Sequence, residues 1–307
     1  MTERDIAVNA DAEPGAEPMA KPASEPIAQH VPVVAVVLAA GFGTRFDPDN
    51  PKQLVAVGGK PIVCWSIEAF EQCARVSDIV VVVNPKVRGE VESLIDEAGY
   101  AKVRVVIDGG SERVDSTAAA LDTLAAAGIP DDAKILIHDA VRPFVAQSAI
   151  DGSIDALDQF KAATVAFAST DTVLLTEDLG DRKVVKSVPD RPNTYRAQTP
   201  QSFRFATIRH AYDLASADPD FHPTDDTRVV VDYLPDEPVA IVSGAETNLK
   251  ITTLADIPTA ERIAEQLLGR DAHGVSGVVG RGAVDPKEEA RARMHALLAQ
   301  AAGQMRR

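Results

Sequence analysis

The chain has 307 residues, of which 45% are hydrophobic, and its 46 acidic and 31 basic side chains give a formal net charge of −15. That content supports a substantial buried core. It excludes a broad nucleic-acid-binding face, which needs clustered positive charge, and it holds no run of 18 apolar residues to cross a membrane.

Residues 1–31 repeat Ala-Glu-Pro, as in Ala12-Glu13-Pro14 and Ala16-Glu17-Pro18. They bury too little apolar surface to offset chain entropy and are expected to form a disordered tail. The tail lacks the apolar stretch of a secretory signal, so the cytoplasm is the expected compartment. Val33 to Leu38 is a continuous apolar run and reads as a strand buried on both faces of a parallel sheet. Strands follow at Ile79–Val83, Val103–Ile107, Lys134–His138 and Thr164–Ala168, separated by helices near 61–74, 86–98, 113–127 and 147–160. This alternation predicts an α/β fold, a Rossmann-like, mostly parallel sheet with helices on both faces. Residues 171–198 break the rhythm: Asp171 to Leu175 and Lys183 to Val188 flank a polar turn and read as a hairpin arm projecting from the sheet. Beyond it come a helix near 204–216, strands at Val239–Ser243 and Leu249–Thr252, and a helix from Ala255 to Leu268. The core domain therefore runs from 32 to 268. Residues 269–307 read as a Gly-rich linker and a short amphipathic helix carrying Met294, Leu297, Leu298 and Ala301. Cys64 and Cys73 form no C-x-x-C pair and are expected as reduced, packed thiols, and the six histidines lack metal-ligand spacing.

Four polar constellations carry the chemistry. Gly41 and Gly43 end the first strand, Arg45 and Lys52 follow, and backbone N–H groups with two cations suit a nucleoside triphosphate. The glycines alone fit an ordinary strand-to-helix turn equally well. Asp108-Gly109-Gly110-Ser111-Glu112-Arg113 leads into a helix with Ser116 in its first turn, and this stretch is either a wall for a flat base or a helix start. Asp139 and Arg142 lie at the carboxyl end of a central strand, where open α/β sheets bind ligands. A carboxylate there suits a hydrated Mg²⁺, with an Asp–Arg loop closure as the alternative. Thr172, Lys186, Asp190-Arg191 and Gln198-Thr199-Pro200-Gln201 form a cluster in and beyond the arm, and Thr224-Asp225-Asp226-Thr227 and Lys250 follow. A lone strand lysine such as Lys250 ordinarily snorkels to solvent.

Leu38 to Arg45 with Pro51-Lys52-Gln53, His138-Asp139-Ala140-Val141-Arg142-Pro143, Gln198 to Gln201, Thr224-Asp225-Asp226 and Asn248-Leu249-Lys250-Ile251-Thr252 occur in that order. The set resembles the 2-C-methyl-D-erythritol 4-phosphate cytidylyltransferases of the non-mevalonate isoprenoid pathway over about residues 33–268, with a nucleotide-diphospho-sugar transferase-like fold. The resemblance implies a CTP site lined by Ala39, Ala40, Gly41, Gly43, Gly110, Ser111 and Ser116, with Asp139 and Ala140 beside it. It implies that Arg45, Lys52 and Lys250 act on the triphosphate, and that Asp139 supports Mg²⁺. The acceptor, a polyol phosphate, is then expected to meet Arg142, Thr172, Arg191, Thr199 and Thr224. Its phosphate is already anionic, so in-line attack needs positioning and charge neutralisation rather than a general base, and His138 reads as a structural residue. The resemblance also implies a homodimer with exchanged arms, Arg191 serving the neighbour's site.

Val141 and the stretches His138 to Phe144 and Thr199 to Phe203 also resemble ribitol-5-phosphate cytidylyltransferases, which would make CDP-ribitol. Ala40, Pro189-Asp190-Arg191 and Thr224-Asp225-Asp226 are closer to the isoprenoid pattern. A hydride-transferring Rossmann enzyme fits less well: Phe46 stands where a third glycine is needed, and Val83 is followed by Asn84-Pro85 rather than an acid. A non-catalytic nucleotide-binding regulator would have no need of the second phosphate-binding group.

Overall fold

The computed structural model describes residues 31–41, 51–219 and 223–271, without the side chains of the last two. The N-terminal tail to residue 30, Gly43 and Arg45 in the loop after the first strand, and the C-terminal helix expected beyond 271 lie outside the described residues.

Chain order begins with β1 (Val33–Ala39), a 3₁₀ turn at Lys52–Leu54, the short pair β2 (Ala56–Val57) and β3 (Lys60–Pro61), and α1 (Ile62–Gln72). Next come β4 (Asp78–Val83), α2 (Arg88–Ala98), β5 (Val103–Asp108), α3 (Arg113–Ala126), β6 (Lys134–Asp139), α4 (Gln147–Gln159) and β7 (Ala162–Ala168). The arm is β8 (Leu175–Asp178) and β9 (Lys183–Ser187). It is followed by β10 (Tyr195–Arg204), α5 (Phe205–Ala215), α6 (Asp226–Tyr233), β11 (Val239–Ser243) and α7 (Ile257–Asp271). Seven strands form one sheet in the order β11-β7-β10-β6-β1-β4-β5. Only β10 runs antiparallel to its neighbours, so the sheet is mostly parallel.

The strands' two-residue period builds the layers. Val33, Ala35, Val37 and Ala39 of β1 pack with Ile67 and Phe70 of α1, Val91 of α2 and Ile150 of α4. Val34, Val36 and Leu38 face Leu121 and Leu124 of α3, Ile208 of α5 and Val229 of α6. Burial on both faces explains why β1, β4 and β6 read as unbroken apolar runs. A third cluster joins Val57, Trp65, Val141, Phe144, Ile251, Ile263 and Ala264, tying the β2–β3 turn and the stretch before α7 to the end of β6. Gly58 has φ +57° in that turn, and a Cβ on it would stand 2.8 Å from Ala264 Cβ.

Three readings change. Leu249–Thr252 is not a strand: it is an irregular connection pinned by the Ile251 N–H donating to Val141 O at 2.9 Å, and Lys250 sits on this loop. Tyr195–Arg204 is a sheet strand with a register shift between Ala197 and Gln201, which its polar, proline-bearing centre concealed. The short α6, capped by the Asp225 side chain on Arg228 N at 2.8 Å, had no apolar period long enough to announce it. The arm hairpin is present but begins only at Leu175. Cys64 and Cys73 are buried free thiols.

Candidate active site

The carboxyl ends of β1 and β6 and the loop after β5 open onto one cleft with a cavity of about 150 Å³. Ala39, Ala40 and Gly41 form one wall and Gly110, Ser111 and Ser116 the other, while Lys52, Arg113, Asp139 and Lys250 bring charge to it. The two walls touch because Gly109 has no side chain: a Cβ there would stand 2.4 Å from Ala40 Cβ and 2.6 Å from Ser116 Oγ. Ser116 Oγ in turn accepts from the Gly110 N–H at 3.3 Å. Glu112 caps α3, exchanging side-chain-to-backbone bonds with Asp115, so these two acids serve the helix start.

Asp139 is the electrostatic centre. Its Oδ1 accepts from Arg113 Nε at 3.0 Å, its Oδ2 faces Lys250 Nζ at 2.9 Å, and Arg142 Nε lies 3.8 Å from Oδ2. Burial alone would raise its pKa, but Arg113 and Lys250 outweigh burial and hold the carboxyl far below the usual range, so it is ionised. Asp139 is 9% exposed and Lys250 41%, so the lysine reaches in from the solvent side and keeps freedom to contact a ligand.

Behind Asp139 the contacts settle the state of His138. Its Nε2 lies 3.0 Å from Arg142 O, which can only accept, so Nε2 carries the proton. Nδ1 then accepts from the Thr199 hydroxyl at 2.9 Å, and Thr199 Oγ1 accepts from the Asp139 N–H at 3.2 Å. Burial lowers the histidine pKa to about 4 against the pull of Asp139, so His138 is neutral at pH 7 with both nitrogens engaged.

The residues singled out from sequence divide into groups. Ala39, Ala40, Gly41, Lys52, Gly110, Ser111, Ser116, Asp139 and Lys250 come together in the cleft. Ala140 is buried beside it, its N–H donating to Leu38 O at 2.9 Å. Arg142 lines an adjoining cleft with Arg196, Asn248, Lys250 and Arg262, where its Nη1 donates to Asn248 O at 2.9 Å. Thr199 is buried behind the cleft, braced as described. Thr172 and Arg191 pair on the arm, Arg191 Nη2 donating to Thr172 Oγ1 at 3.3 Å, and line neither cleft of their own chain. Thr224 is exposed just before α6. Gly43 and Arg45 lie outside the described residues.

Sequence reasoning assigned no role to Arg113, which joins Asp139 to Asp226. A signal was present: a cation at the first position of a helix opposes the helix dipole and calls for acidic partners. Among the described residues no group of three or more metal-ligating side chains occurs. Asp139, the buried ionised carboxylate at the cleft, is the residue that would hold Mg²⁺, an ion that keeps waters and substrate phosphates as most of its ligands.

The model of the family "2-C-methyl-D-erythritol 4-phosphate cytidylyltransferase" matches residues 33–266. A protein of that name from Bifidobacterium longum (strain DJO10A) is 81% identical over 307 residues, covering 100% of both chains. The bifunctional ribulose 5-phosphate reductase/CDP-ribitol pyrophosphorylase Bcs1 of Haemophilus influenzae is 33% identical over 75% of this chain and 48% of its own. Among solved structures, 4-diphosphocytidyl-2C-methyl-D-erythritol synthase from Anaerococcus prevotii superposes with a TM-score of 0.65 at 27% identity, covering 76% of this chain and 98% of that one.

Proposed function

The chain belongs to the 2-C-methyl-D-erythritol 4-phosphate cytidylyltransferase family, and from its cleft we infer how it moves CMP from CTP onto 2-C-methyl-D-erythritol 4-phosphate, giving 4-diphosphocytidyl-2-C-methyl-D-erythritol and pyrophosphate. The observation that carries the reading is the buried, ionised Asp139 in a cleft with Lys52, Arg113 and Lys250 and with small side chains on both walls. The walls Ala39-Ala40-Gly41 and Gly110-Ser111 with Ser116 leave room for a pyrimidine. Lys52 and Lys250 meet the triphosphate, and the sequence pattern adds Arg45 to them.

The acceptor's phosphate oxygen attacks the α-phosphorus in line, a new P–O bond forms, and the bond to the β-phosphate oxygen breaks as pyrophosphate leaves. His138, buried and bonded at both nitrogens, is no base for this step. None is required, because the nucleophile is already an anion. The residues supply position and positive charge where negative charge builds. Mg²⁺ held by Asp139 and the nucleotide's phosphates would further neutralise that charge. Arg142 receives the acceptor in the adjoining cleft, with Thr199 buried behind it, and the sequence pattern adds Thr224 as a further contact.

Thr172 and Arg191 sit on an arm whose Leu174, Leu175, Val185 and Val188 are exposed. This supports a homodimer in which each arm covers its neighbour, bringing Arg191 to the partner's acceptor site. Among the described residues no helix is long and apolar enough to cross a membrane. Pyrophosphate release from CTP and Mg²⁺, with 2-C-methyl-D-erythritol 4-phosphate and ribitol 5-phosphate offered in parallel, tests the reading. Turnover preferring the first acceptor is expected, and preference for ribitol 5-phosphate would overturn it.

A further inference from the structure

Asp226 lines neither of the two clefts described, yet it is a fully buried acid close to the first. It has no exposed surface. Its backbone N–H donates to Gln201 Oε1 at 2.8 Å, its Oδ1 accepts from the Tyr212 hydroxyl at 2.6 Å, and its Oδ2 lies 2.7 Å from Arg113 Nη1. Burial and the neighbouring Asp226 charge keep the Tyr212 phenol protonated, so it remains a donor.

Burying an ion pair of this kind yields little stability over a packed apolar replacement, because desolvation offsets the attraction. The arginine also opens α3, against the helix dipole. Its geometry shows what the arrangement achieves. The guanidinium is a rigid plane, hydrogen-bonded through Nε to Asp139 and drawn at Nη1 towards Asp226 by an ion pair that lacks hydrogen-bond geometry. With the Asp226 charge attracting its far edge, it offers Asp139 one N–H and leaves Oδ2 to Lys250.

We propose that Asp226 is a positioning residue for cytidylyl transfer: through Arg113 it orients Asp139, and through Asp139 it holds the Lys250 ammonium at the cleft. Without the Asp226 charge, the guanidinium turns to engage both Asp139 oxygens side by side, the geometry arginine favours with a carboxylate. Lys250 then loses its anchor and moves to solvent. The proposal rests on the reading of Lys250 as a phosphate-contacting group.

A double-mutant cycle tests it, with kcat/KM for CTP from pyrophosphate release and Kd for CTP from calorimetry without acceptor. Asp226→Asn is expected to lower kcat/KM and weaken CTP binding about tenfold in the natural background, but less than about twofold in Lys250→Ala, because coupled sites are non-additive. Tyr212→Phe, which keeps the charge, should lose less than about threefold. A folded Asp226→Asn that loses nothing, or loses equally in both backgrounds, overturns the proposal. If Asp226→Asn does not fold, Arg113→Lys replaces it in the cycle under the same criteria, since an ammonium cannot fork between the two carboxylates. A Lys250→Ala enzyme with unchanged kcat/KM and Kd would instead overturn the reading of the cleft itself.

Discussion

Replacing Asp139 with Asn keeps the shape of the cleft and removes its central charge. Three cations lose an anion, but unequally. Arg113 retains Asp226 at 2.7 Å, and Lys250, 41% exposed, turns to water. Only Arg142, 12% exposed, stays buried without its acid. Removing one partner of a fully buried pair costs about 3–5 kcal/mol; with two of the three cations relieved, about 2 kcal/mol is expected, or a fall in Tm of about 4–8 °C for a domain of this size. Activity should suffer more than stability. Asp139 anchors Lys250 and would hold Mg²⁺ in the proposed reaction, so kcat/KM is expected to fall about 10²–10³-fold, the range for loss of a preorganised electrostatic group. The sign of the pH dependence adds a check. The folded pKa of Asp139 is depressed, so its contribution is complete above the unfolded value near 4 and is lost as pH falls through the folded value. The stability gap between the two proteins should therefore stay constant from neutral pH down to about 5 and close only in acid. Thermal melts across that range and pyrophosphate release at pH 7.5 measure both quantities. A folded Asp139→Asn enzyme within about threefold of the natural kcat/KM would remove Asp139 from the reacting site.

Three further outcomes follow from the geometry. Gly109→Ala places a methyl 2.4 Å from Ala40 Cβ; the walls must part, and KM for CTP is expected to rise about tenfold with a stability loss of about 1–3 kcal/mol, whereas an unchanged KM would show that the contact does not shape the nucleotide site. His138, with its pKa lowered to about 4, is neutral when folded while the unfolded chain binds a proton below about 6.5. Stability should thus fall between those values by about 3 kcal/mol, and His138→Gln should flatten that slope in chemical denaturation; an equal slope would assign it to other groups. Lys52→Ala should lower kcat far more than it weakens CTP binding, because its partner charge builds in the transition state, and steady-state kinetics with an unchanged kcat would remove it from that role.

Strands buried on both faces were legible because their sequence has only one way to be hidden: Val33 to Leu38 and Ile79 to Val83 carry no polar side that could face water. The cleft was legible where local chain chemistry made it. Gly41 and Gly110 follow strand ends, Asp139 ends β6 itself, and the sheet's parallel topology delivers all three to one edge. Lys250 was placed in a strand because Ile251 and its neighbours look apolar. In fact Ile251 is held from outside the sheet, by Val141 O and by the cluster with Trp65, contacts that span more than a hundred positions. β10 was hidden for a different reason. Its middle, Gln198 to Gln201, spends its polar groups inward: Gln198 Nε2 donates to Ala245 O at 2.7 Å, and Thr199 braces His138. A buried polar strand breaks the alternation that betrays ordinary strands.

The same reasoning explains why Arg113 and Asp226 escaped assignment although both stand in motifs visible in the chain. Each is informative only as a pair, and their separation in sequence leaves no spacing rule to connect them. The pair matters because Asp139 alone could satisfy its cations in several ways. Arg113, Arg142 and Lys250 all lie within 3.8 Å of its two oxygens, and which cation takes which oxygen decides whether a positive group faces the substrate or the protein. Asp226 removes that freedom by holding Arg113 from behind, on a helix that packs against α5 rather than against the cleft. Specificity of charge placement is thus written two contacts away from the chemistry, in the apolar layer made by α3, α5 and α6, where a change in packing would be felt as a change in catalysis.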